Sequence, residues 1–288
     1  MSDHIAEVIR IMKKKLTMIG AAFVLIVGMA GIFSACGGGG SEAQITDAAS
    51  LAAANQSAQA DVENYHMDMD MDMDMTLKMD GLKEALGADS MNVPMKMTMS
   101  MDSGKETAHA DSNTSISMMG QSMEQPAEMY IDIANGATYT KAEGTETWTK
   151  TETDSSMTEM LNSVTEMSAD ILEKAKFAET EEEYTLTLDA GELGEAIKEM
   201  NLFSSYSDIG MDMKEFNITE GQIIYTFYKD SALIKKIDMQ GLNIQANGEM
   251  QGSAIDMQVK LTDTMNYSQY GEIDPKTYAI PADVTSAK

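Results

Sequence analysis

The chain has 288 residues, a formal net charge of -27 and a hydrophobic fraction of 43%. So acidic a surface repels phosphate backbones, which are bound by Lys and Arg displacing counterions, and this excludes nucleic acid as a partner. The apolar fraction and its regular spacing exclude a disordered chain and suit one packed domain.

The N-terminus comes first. Lys13, Lys14 and Lys15 precede the uncharged run from Leu16 to Ala35, which ends in Ser34-Ala35-Cys36 and is followed by Gly37 to Gly40 and Ser41. A basic flank, an apolar stretch and small residues before a cut site make an export signal. The ending resembles the lipobox of bacterial lipoproteins, although Phe33 stands where that pattern usually has Leu. It implies a signal peptide over residues 1–35 and lipidation of Cys36. The other reading is an uncleaved apolar anchor, since twenty such residues also span a bilayer. Either way the body is held outside the cell membrane, on its extracytoplasmic face. "MKKKLTMIG" from Met12 is itself a complete signal opening, so Met12 competes with Met1 as the start. The sequence has a single cysteine, so the exported body holds no internal disulfide and depends on its core. Residues 36–43 read as a lipidated tether of about 10 to 15 Å, and residues 44–288 as one domain, expected to be monomeric.

Ser41 and Gln44 suggest a capping box for a helix reaching about Asn64, with Leu51, Ala54, Ala58 and Val62 on one stripe. Next comes "NYHMDMDMDMDMTLKMD". In a helix, residues two apart step about 200° and no apolar face forms. In a strand, Tyr65, Met67, Met69, Met71, Met73, Met75, Leu77 and Met79 fall on one side and His66, Asp68, Asp70, Asp72 and Asp74 on the other. The same alternation recurs at Met95, Met97, Met99 and Met101, at Tyr184, Leu186 and Leu188, and at Ile255, Met257, Val259 and Leu261. These predict long antiparallel strands with one dry and one wet face. Further strands are expected over Glu106 to Met119, Glu128 to Ala134 and Leu233 to Ala246. A hairpin at Glu143-Gly144 would set Tyr139 opposite Trp148 and Lys141 opposite Glu146. Another at Glu220-Gly221 would pair Ile218 with Ile223 and Phe216 with Tyr225.

Helical spacing returns between Asp154 and Lys176, where Met157, Met160, Leu161, Val164, Met167 and Ile171 recur at three and four. It returns again after Asp189, with Leu193, Ala196, Ile197 and Met200. About four strands would follow, the last near "YAIPADV". Segregated strands and helices read as an α+β fold.

With the lipobox and N-terminal helix, the "NYHMDMDMDMDMTLKMDG" strand, "EMYIDIANGATYTKAEGTETWTK" and "MNYSQYGEIDPKTYAIPADVTSA" resemble uncharacterised lipoproteins of Gram-positive bacteria. Those in turn resemble lipid carriers of the LolA and LppX type. The resemblance implies a strongly curved antiparallel sheet, an incomplete barrel, with helices packed on its concave apolar face and acyl chains held between. Methionine suits such a lining because it is unbranched and tolerates varied apolar partners; it also serves as plain core filler. Candidate lining residues are Met67, Met69, Met71, Met73, Met75, Met97, Met99, Met160, Met167 and Met257.

Other chemistry is poorly supplied. Thioethers beside His66 suggest Cu(I), but strand geometry sends His66 to the opposite side from Met67. The Asp68 to Asp74 ladder lacks the glycine and final glutamate of a calcium loop, with Met73 and Met79 in those places. It reads as a solvated face paired with lysines such as Lys96. No nucleophile motif, phosphate loop or His-Glu-x-x-His is present, so neither catalysis nor a cofactor is expected. A surface lipoprotein that docks a basic protein partner is the alternative to a carrier.

Overall fold

The computed structural model describes residues 44–79, 82–83, 87–118, 121–142, 144–152, 174–199, 211–250 and 253–286. The expected signal peptide, Cys36, the tether, and Met160 and Met167 of the helix expected between Asp154 and Lys176 lie outside these residues.

The first helix, α1 (Ala48–Ala60), starts later than expected because Asp47 and Ser50 form the capping box, the carboxylate accepting from the Ser50 amide at 2.8 Å. Its buried residues are Ala48, Leu51 and Asn55, so the stripe runs through an amide that donates to the Ala232 carbonyl at 2.8 Å. Strands β1 (Asn64–Met79), β2 (Met91–Gly104), β3 (Thr107–Met118), β4 (Gln121–Asp132), β5 (Ala137–Ala142) and β6 (Thr149–Glu152) follow. Then come β7 (Lys176–Glu179), β8 (Glu183–Asp189), α2 (Ala190–Glu199), β9 (Met211–Tyr228), β10 (Ile234–Met250), β11 (Ser253–Ser268) and the short α3 (Ala282–Thr285).

All eleven strands form one curved, open sheet in the order β6-β5-β4-β3-β2-β1-β11-β10-β9-β8-β7. Strands β1 and β11 meet at its centre, and every pairing is antiparallel. Among the described residues strand far outweighs helix, so the α+β expectation holds for its antiparallel curved sheet and less for its helical share.

The sorted pattern of β1 survives in three dimensions. Met67 sits between Met101 and Tyr267, Met69 between Met99 and Met265, and Met73 between Met95 and Leu261. These side chains share one buried cluster with Leu51 of α1 and with Leu186, Tyr225, Phe227 and Ile237 of the far strands. Pro94 lies opposite Asp74 of β1, one residue before β3 begins to pair at Met95, so at this position β2 has a neighbour on one side only.

Three expectations need correction. Gly144 adopts φ +75, but β5 and β6 pair Tyr139 with Lys150 and Thr140 with Thr149. The connection is longer than two residues and Trp148 precedes the strand. Glu220-Gly221 is no hairpin, since β9 runs through it and pairs with β10 on both sides. Gly221 has φ +101, and a Cβ there would stand 2.7 Å from the Gln240 carbonyl oxygen, so glycine serves a bulge. The "YAIPADV" stretch is a turn leading into α3, whose Val284 joins Tyr130, Ala137 and Tyr139 in a second small cluster.

Candidate functional site

Strand β1 supplies the centre of the inner face. Met67, Met69, Met71, Met73 and Met75 are 0–3% exposed, while Met97 and Met99 of β2 are 7% and 8%. At such exposures these thioethers are core side chains, packed into one buried cluster rather than lying on an open surface. Met257 differs: it is half-buried and belongs to a groove of about 320 Å³ whose other walls include Thr76, Lys78, Asn217, Gln245, Asp256 and Gln258. That groove is lined by polar and apolar surface in about equal measure, between side chains of β1, β11, β10 and β9. Seven of the expected lining methionines therefore converge, Met257 packs against the margin of the same cluster while also bordering the groove, and Met160 and Met167 fall outside the described residues.

One member of the inner face is a carboxylate. Asp263 lies between Met71 of β1 and Met239 of β10. It is 1% exposed, and neither side-chain oxygen has a hydrogen-bond partner among the described residues. Burial disfavours its charged form and, with smaller contributions from Asp70 and Asp238, pushes the carboxyl up to about 7 against the pull of the Thr264 amide. The same interior holds tyrosines: burial pushes the Tyr225 hydroxyl up to about 12 and the Tyr267 hydroxyl well above its ordinary value, helped by Tyr65, Tyr270, Tyr225 and Asp263. The alternation of Val259, Leu261, Met265 and Tyr267 puts Asp263 in apolar phase. Sequence reasoning that stops the strand at Leu261 misses it, although a carboxylate on the apolar beat was the available signal.

The opposite face is as wet as its sequence implies. Lys96 Nζ meets Asp72 Oδ2 at 2.7 Å across the sheet, the pairing expected from the ladder. His66 Nδ1 donates to Asp102 Oδ1 at 2.7 Å and Nε2 lies 3.3 Å from Asp68. Burial opposes the imidazolium, but the Asp102 hydrogen bond and the Asp68 charge outweigh it and raise its pKa. With Met67 and Met69 on the other side, His66 and the thioethers do not converge on a soft metal. No group of three or more His, Cys, Asp or Glu side chains suited to a metal occurs among the described residues. No described helix is long and apolar enough to cross a membrane.

Residues 47–288 match a family model whose description is "Family of unknown function (DUF6612)". No curated protein matches the chain.

Proposed function

We propose, for a chain that belongs to the DUF6612 family, a membrane-tethered extracytoplasmic lipoprotein that takes an acyl chain or similar apolar ligand onto its methionine face. Cys36 is the lipidation site of this reading, and two acyl chains on one residue suffice for stable anchoring. The LolA/LppX-type carrier is its architectural counterpart, with Leu51 of α1 packed into the methionine cluster of the curved sheet. The observation that carries it is the unbroken patch of thioethers on β1 and β2, far richer in methionine than core filling by Leu and Val requires. Because these thioethers are buried in the core cluster, a ligand among them calls for side-chain repacking, which three rotatable bonds and a polarisable sulfur make cheap for Met. Native mass spectrometry after exposure to lipid vesicles tests this. Retained lipid with a raised melting temperature supports it, and no retained lipid with no thermal shift rejects it.

A second reading rests on the outer face. The groove of about 320 Å³ beside the acidic ladder offers amides and carboxylates to a basic protein partner. Pull-down from membranes separates the two: salt-labile protein capture favours docking, co-purifying lipid favours carriage.

A further inference from the structure

Asp263 sits where a carboxylate is most expensive. Its flanking partners Met71 and Met239, and Leu261 and Met265 two residues away along β11, are all buried apolar side chains. By geometry neither oxygen has a hydrogen-bond partner among the described residues, and the one group that favours the charged form, the Thr264 amide, does not outweigh burial. The groups that face it electrostatically are Asp70 from β1, Asp238 from β10 and Tyr267 from β11 itself. Asp238 is already engaged, by Lys236 Nζ at 2.7 Å and by the Thr264 hydroxyl at 2.9 Å. Tyr225 of β9 couples to the same tyrosine, and α1 carries no titratable side chain. Both carboxylate neighbours are negative, so they oppose a second charge.

The backbone next to Asp263 is also irregular. The β10–β11 ladder slips between Met239 and Leu242, leaving Gln240 and Gly241 bulged. Gly241 has φ +59 and touches the Gly221 bulge of β9. Either side of this line the inward phase changes, from odd residues Ile237 and Met239 to even residues Leu242, Ile244 and Ala246 on β10. A locally interrupted ladder is where water enters at least cost.

We propose that Asp263 is a proton-dependent latch on the methionine face: neutral, it keeps the face shut, and ionised, it draws water in at the Gly221–Gly241 bulges and opens it. This goes beyond the carrier reading and holds with or without a ligand. In the closed state the carboxyl titrates near 7, and in an open, wetted state near its ordinary value of about 4. Linkage then makes opening about tenfold more frequent per pH unit between roughly pH 4 and 7, levelling off above.

The test is hydrogen exchange read by mass spectrometry on the full chain from pH 5 to 8.5, corrected for intrinsic rates. Asp263→Asn and Asp263→Leu are run beside the wild type. Wild-type peptides from β10 and β11 should lose protection up to about pH 7 and then hold constant, while both variants stay flat. Should Asp263→Leu fold poorly, the near-isosteric Asp263→Asn alone decides. Constant wild-type protection, or the same pH trend in Asp263→Asn, overturns the latch.

Discussion

Strands β1 and β2 pair from Asn64 to Leu77 without a break, whereas β9 and β10 shift register at four places along comparable lengths. Both pairs feed one continuous buried cluster, so the difference lies in how each keeps its apolar side inward. The central pair relies on strict alternation, apolar against apolar from Met67–Met101 to Leu77–Met91, with Asp68, Asp70 and Asp72 against Ser100, Thr98 and Lys96. The outer pair loses phase at Gly221 and recovers it because Gly241 bulges beside it. A regular strand spends nothing on geometry but tolerates no insertion, since a slip of one turns its whole apolar set to water. A bulged strand absorbs a phase error and leaves a weak line in the ladder.

Substitutions probe each half. The largest loss is expected in the regular one, where Met73 is fully buried between Met95 and Leu261. Met73→Ala should cost about 2 to 5 kcal/mol in urea unfolding, and a loss under about 1 kcal/mol would mean the centre is loosely packed. Next is Asp263. Its folded-state pKa is raised to about 7, so between the unfolded value and 7 the folded state holds the extra proton and stability falls as pH rises. Removing that slope, Asp263→Asn should gain about 3 kcal/mol on the wild type between pH 5 and pH 8, seen as diverging denaturation midpoints. In the bulged half, Gly221→Ala puts a methyl into a φ of +101 and against the Gln240 carbonyl. A drop of about 1 to 3 kcal/mol in calorimetry is expected, whereas Gly144→Ala, with open space around its Cβ position, should lose less. The smallest effect belongs to the wet face. Lys96 and Asp72 are both well exposed, so a double-mutant cycle should return about 0.2 to 1 kcal/mol, falling with salt.

The regular half was legible in the sequence. Alternation alone assigns Met67 to Met75 inward and Asp68 to Asp74 outward, and both burial and pairing follow it. The bulged half was not, for a physical reason. Ile218 and Ile223 are an odd number of residues apart, and that change of phase is the signature of a two-residue hairpin and of a bulge alike. Only the neighbour decides, and here it is Gly241, some twenty residues on. The N-terminal helix was found but its cap misplaced, because Asp47 and Ser50 make the reciprocal capping bonds without the Glu or Gln that the sequence rule looks for. Of the candidate site, the methionine patch could be read from period two, while the carboxylate within it went unread because its strand continues past Leu261.

The most direct measurement is methionine oxidation by dilute hydrogen peroxide, followed peptide by peptide. A dry inner face requires Met67, Met69, Met71, Met73 and Met75 to resist while Met123, 37% exposed on β4, oxidises quickly. Oxidation of the β1 methionines as fast as Met123 in the folded protein would contradict a sheet that keeps its thioethers from water.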